Sequence, residues 1–81
     1  MLDAVIVGRV IQQFREKKEQ SQELVSGFAG IGRTHLSAIE RGERKPTLET
    51  LFRIAYALGV RPSTIIAAIE AELEKNINPE L

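Results

Sequence analysis

Apolar residues recur every three or four positions through most of this chain, and nowhere does a sustained two-residue alternation appear. Val7, Val10, Ile11 and Phe14 share one face of a helix predicted over about residues 3–18, with Arg9, Gln12, Gln13, Glu16 and Lys17 on the remaining positions. Asp3 suits its N-cap, and Lys17 and Lys18 suit the negative end of its dipole. Ser21 opens a second helix of about eight residues, with Leu24, Val25 and Phe28 expected inward and Gly30 as a left-handed stop. A third runs over about residues 33–41, with Leu36 and Ile39 inward and Gly42 at its end. Thr47 caps a fourth, whose apolar stripe is Leu48, Leu51, Ile54, Ala55 and Leu58, and Gly59 ends it. Pro62 at the first position opens a fifth, carrying Ile65, Ile66, Ile69 and Leu73. Asn78-Pro79 breaks that helix, so residues 76–81 are expected to fray. The fold class is all-α, with loops short enough to force close packing.

Composition narrows the function classes. With 81 residues the chain is one domain, taken as residues 1–75, too small for a large core and in need of a partner surface or very tight packing. Eleven Lys and Arg balance eleven Asp and Glu, which excludes a uniformly basic nucleic-acid coat but not a local basic face. There is no Cys, hence no disulfide framework and no zinc–thiolate site. No apolar run approaches the roughly 18 residues of a membrane span, and the N-terminus lacks the pattern of a signal peptide. A cytoplasmic protein is expected.

An enzyme is not. His35 is the sole histidine and Asp3 the sole aspartate, and Asp3 sits in a terminus expected to fray, so a Ser-His-Asp relay has nowhere to assemble. The Gly27, Gly30, Gly32 run follows no strand and lacks the Lys-Ser/Thr of a phosphate loop. No metal, cofactor or small-molecule ligand is expected.

The second and third helices flank a turn of about three residues, Gly30-Ile31-Gly32. Two short helices around a glycine turn describe a helix-turn-helix, whose second helix can enter the major groove. That groove, about 12 Å wide, admits a single α-helix, which must protrude from its platform.

The ordered set Ser21-Gln22-Glu23, Ala29 to Thr34, Leu36 to Gly42, Pro46 to Leu51 and Ile54 to Val60 resembles the helix-turn-helix domain of the phage Cro and repressor (XRE) family. With helix one, the similarity covers about residues 5–70. The small size and the Arg33-Thr34-His35-Leu36-Ser37 run are also similar to the controller proteins of restriction–modification systems. The resemblance implies a five-helix lambda-repressor-like domain that binds double-stranded DNA as a homodimer and regulates transcription. It implies base contacts from Arg33, Thr34, His35, Ser37 and Ala38, and a Gln22 that touches phosphate and braces the recognition helix. Arg can pair bidentately with guanine, and Thr can touch the thymine methyl. Arg41, Arg44 and Lys45 would neutralise phosphates and set register. Read without the resemblance, Arg33 is a solvated surface residue, Arg44-Lys45 a wet loop, His35 an exposed spacer and Ser37 a local backbone partner. Glu40, acidic in a helix meant for DNA, matches a residue that pairs with an Arg late in helix one; Arg15 holds that position, and an Arg15–Glu40 ion pair is expected.

Three positions depart from the family pattern. Glu19 and Gln20 stand where the first turn usually has Gly and an apolar residue, so that turn must close without glycine. Ser26 replaces Ala and needs a local acceptor for its hydroxyl. Gly32 replaces the usual Ser or Thr N-cap of the recognition helix.

Leftover apolar surface predicts the dimer. Helix five offers more apolar side chains than so small a core is expected to absorb, so Ile66, Ile69 and Leu73 are placed at a two-fold interface with Phe52 and Tyr56 of helix four. Leu2, Val5 and Ile6 form a second surplus patch. Such a dimer reads a pseudo-palindromic operator with half-sites about 34 Å apart. The alternative is a protein-interaction module, or an antitoxin component, whose main partner is another protein. Charge is segregated: residues 33–45 carry four cations against two carboxylates, and residues 61–81 carry two against four.

Overall fold

Side-chain and backbone caps define five helices in a computed structural model that describes residues 2–77. They are α1 (Ala4–Lys17), α2 (Gln22–Ala29), α3 (Arg33–Glu40), α4 (Leu48–Leu58) and α5 (Pro62–Ile77). Asp3 does not fray: its Oδ1 accepts the Val5 N–H at 2.8 Å and the Ile6 N–H at 3.4 Å, satisfying donors that the first turn leaves free. Ser21 and Thr47 cap α2 and α4 in the same way. At Gly32 the cap is backbone only, with no side-chain bond. Helix α5 continues to Ile77, so the first two residues of the expected tail are helical; residues 78–81 lie outside the described residues.

The first four helices stop by one motif. A residue in the left-handed conformation donates its N–H to the carbonyl three back, and the next residue donates to the carbonyl five back. Gly30, Gly42 and Gly59 take that position after α2, α3 and α4. After α1 it is Glu19, at φ 55°, with Glu19 N–H on Glu16 O at 2.9 Å and Gln20 N–H on Arg15 O at 3.2 Å. The turn without glycine therefore keeps the glycine geometry.

Helix α2 packs on α4, and α1 packs on both α3 and α5. Between them lie Val7, Val10 and Ile11 of α1, Val25 and Ala29 of α2, Leu36 and Ile39 of α3, four α4 residues, and Ile65 and Ile69 of α5. Burying each large side chain contributes about 1.5–3 kcal/mol. Phe14, Ile31 and Leu73 pack partly buried around them.

Several expected inward residues face out, for a geometric reason. On α2 the buried residues are Val25, Ser26 and Ala29. At about 100° per residue these share one side, and Leu24 and Phe28 fall opposite it. Phe28 is accordingly 72% exposed, and Leu24 is exposed too. The side that packs is the one with small residues, which let α2 approach α4 closely. Ser26 meets its requirement locally, its Oγ donating to Glu23 O at 3.1 Å. On α4, Leu48 leaves the core row and joins Phe52 and Tyr56, four and eight residues on, in an exposed stripe.

The opposite correction holds on α5 and α1. Ile69, expected at a dimer interface, is 7% exposed and belongs to the core, as do Ile65 and Ile6. The small domain absorbs more of α5 than its size suggested, because α1 supplies the opposing wall. Ile66 stays exposed, and Leu73 is half-buried against the core.

Gly8 carries no signal in the apolar pattern. It lies in mid-α1, where a Cβ would overlap the carbonyl oxygen of Ile39 and stand 2.8 Å from that of Glu40. A Cβ on Gly42 would stand 2.7 Å from Val5 Cα. The two glycines let α1 lie backbone-to-backbone against the end of α3.

Candidate nucleic-acid interface

Helix α3 is held from behind and free in front. Leu36, Ile39 and Glu40 are its buried residues, and they form its inner arc. By helical periodicity Arg33, Thr34, Ser37, Ala38 and Arg41 share the opposite arc. Arg33, Thr34 and Arg41 are exposed there, and Ser37 and Ala38 are half-buried. His35 does not join this face; it is half-buried on the flank, nearer the inner arc. The turn before α3 sets its angle: Gly30 is left-handed and Gly32 extended, so the chain reverses within three residues.

Glu40 points inward. Its side chain is 2% exposed and takes Arg15 Nε at 2.7 Å and Arg15 Nη2 at 2.9 Å, a bidentate pair. Gln22 Nε2 donates to Glu40 Oε1 at 2.9 Å, and Arg15 Nη1 donates to Gln20 O at 2.8 Å. One carboxylate thus joins α1, the first turn, α2 and α3. The hydrogen bond to Glu40 raises the Arg15 pKa above its ordinary value against the opposing pull of burial. Gln22, expected to brace the recognition helix, makes its bracing contact here.

Two other expected DNA contacts meet each other. Arg41 Nη1 donates to Ser37 Oγ. Its Nε and Nη2 go to the carboxylate of Glu43 at 2.8 and 3.1 Å. Glu43 did not figure among the sequence candidates; only its spacing from Arg41 marks it. Arg33, Arg44 and Lys45 are exposed and make no side-chain hydrogen bond or ion pair among the described residues.

A second surface lies away from α3. Leu2, Leu48, Leu51, Ile66 and Ile69 line a shallow apolar groove of about 310 Å³ between the N-terminus, α4 and α5. Phe52 and Tyr56 extend the exposed row along α4, their rings edge-to-face with centroids 6.3 Å apart. Among the described residues no cluster of three or more His, Cys, Asp or Glu could hold a metal ion, and no single helix is long and apolar enough to cross a membrane.

Two helices joined by a tight turn, the second protruding with a basic, hydrogen-bonding face, define a helix-turn-helix DNA-reading domain. The helix-turn-helix family profile matches residues 11–65, and the chain belongs to that family of transcription regulators. It is 42% identical over 55 residues to the uncharacterised helix-turn-helix-type transcriptional regulator y4dJ of Sinorhizobium fredii, covering 68% of this chain and 71% of that one. It is 35% identical over 63 residues to the control protein C.BamHI of Bacillus amyloliquefaciens, covering 76% and 78%. Among solved structures, the restriction–modification controller protein C.Esp1396I, a tetramer in complex with its natural 35-base-pair operator, superposes with a TM-score of 0.82 at 28% identity, covering 93% of this chain and 99% of that one.

Proposed function

We propose that this protein is a homodimeric, sequence-specific transcription regulator that places α3 in the major groove of a pseudo-palindromic operator. The observation that carries the proposal is the inward turn of Glu40. Its pairing with Arg15 and Gln22 removes the one carboxylate on α3 itself, so the outward arc meets DNA with Arg33, Thr34, Ser37 and Ala38 at base edges. Arg44 and Lys45, without side-chain partners among the described residues, neutralise phosphates beside the helix, with Gln22 and Arg41 at the flanks. His35, on the flank of α3, reaches the backbone rather than a base edge.

The occupant of the apolar surface is a second copy, joined through Leu48, Phe52, Tyr56 and Ile66, with Leu73 at the edge. Ile69 is not proposed there. C.Esp1396I, which sits on its operator as a tetramer, supports oligomeric binding here. The protein works on cytoplasmic DNA, and its chemistry is binding rather than catalysis. A protein-interaction role in place of DNA binding is not favoured, because it leaves unpaired cations around α3 without use.

The test is binding to the duplex upstream of the protein's own gene, titrated with salt. A specific complex whose log affinity falls linearly with log salt is expected. Equal affinity for a scrambled duplex, or no binding at low salt, overturns the proposal.

A further inference from the structure

Just beyond α3 the chain carries an acid where a DNA-reading surface has no evident need of one. Glu43 is exposed, two residues past Arg41, and its carboxylate occupies Nε and Nη2 of that guanidinium. This is the fork that grips phosphate bidentately, so Glu43 holds the place of a phosphate. The third donor nitrogen of Arg41 is spent on Ser37 Oγ. The hydrogen bond between them raises the Arg41 pKa and lowers that of Glu43, so both stay charged near neutrality. Helix stability does not account for the placement, since the negative end of a helix dipole disfavours a carboxylate.

Resting on the placement of α3 in the major groove, we infer that Glu43 is a specificity-determining residue: it masks Arg41 in the free protein, and Arg41 and Ser37 are released to DNA together. Phosphates meeting Arg44 or Lys45 gain new contacts on any sequence. A phosphate meeting Arg41 merely replaces one bidentate anion by another, and where the guanidinium swings off Glu43 to reach it, Nη1 also leaves Ser37 Oγ. That exchange is close to neutral on arbitrary DNA. It becomes favourable only where a base edge offers Ser37 a new partner. Glu43 thereby widens the gap between specific and non-specific binding.

The experiment compares wild type with Glu43→Gln by fluorescence polarisation. The probes are a mixed-sequence duplex of about 30 base pairs, long enough for two half-sites one helical turn apart, and a duplex selected by the wild type from a randomised library. Glu43→Gln is expected to bind the mixed duplex about two- to fivefold more tightly, the range an exposed ion pair spans. Its salt slope on that duplex steepens by about one, as one more cation becomes free. Affinity for the selected duplex rises less, so the ratio between them falls. Glu74→Gln, which removes the same charge from an exposed position on α5, leaves the slope unchanged. On an Arg41→Ala background the gain from Glu43→Gln shrinks to the Glu74→Gln level.

An unchanged slope, weaker binding, or an equal gain without Arg41 overturns the inference. If the wild type binds neither duplex with salt-dependent affinity, the DNA-reading function falls and this falls with it. If the wild type binds and only the Glu43 variants disagree, the function stands and Glu43 has no such role.

Discussion

Single residues in this protein act by what they hold. Glu40 is the clearest case, because Arg15 and Gln22 both end on it. Truncation by Glu40→Ala leaves a guanidinium that is 12% exposed without its anion. A loss of roughly 3–5 kcal/mol is expected, as when one partner of a buried pair is removed. Urea denaturation measures it, and DNA affinity should fall with it, since the brace behind α3 is gone. An unchanged midpoint would mean the pair contributes nothing net. Glu19 presents the reverse case. A side chain in the left-handed region costs about 1–2 kcal/mol relative to the right-handed one. Glycine removes that strain but gives back about 0.4–1 kcal/mol through the freer unfolded chain. Glu19→Gly is therefore expected to stabilise by about 0.5–1 kcal/mol, read as a higher urea midpoint at constant slope.

Between helices, the contact that sets the reading head is made of backbone, and this separates what the sequence shows from what it hides. Helix existence and ends were legible because caps and stops are local chemistry: Asp3, Ser21, Thr47, Gly30, Gly42 and Gly59 act on their own turns. The Arg15–Glu40 pair was legible through family resemblance, since no local rule joins residues 25 apart. Burial was less legible. Apolar character alone placed Leu24, Phe28 and Leu48 inside, whereas the packing of α2 on α4 chose the side bearing Ser26 and Ala29. Gly8 was silent, because its role exists only once α1 touches the carbonyls of Ile39 and Glu40. In isolation Gly8→Ala favours a helix by about 1 kcal/mol. Here overpacking against rigid backbone, about 1–3 kcal/mol, outweighs that gain, and a net destabilisation of up to about 2 kcal/mol is expected by thermal or urea unfolding. A more stable Gly8→Ala protein would show that α1 shifts freely against α3.

At the scale of the whole molecule, the proposed dimer requires 81 residues to supply both a reading head and a means of pairing two of them. The division runs through α5. Its Ile65 and Ile69 close the core against α1, while Ile66, one residue round the helix, is left 43% exposed beside the stripe of α4. Substitutions at neighbouring positions should therefore separate folding from pairing. Ile66→Glu puts a charge on the surface, so helicity by circular dichroism is expected to persist. At a two-fold interface that carboxylate would face its own copy, desolvated and without a counter-ion, so sedimentation should show a monomer. Monomers retain α3 but lose the fixed half-site spacing, and binding to a two-site operator should weaken and become non-cooperative while single half-site binding is little changed. Ile69→Glu, by contrast, buries its charge within one domain and should unfold it. If Ile66→Glu remained a dimer with wild-type operator affinity, the pairing surface would lie elsewhere, and the exposed faces of Leu24 and Phe28 on α2 would be the next to examine.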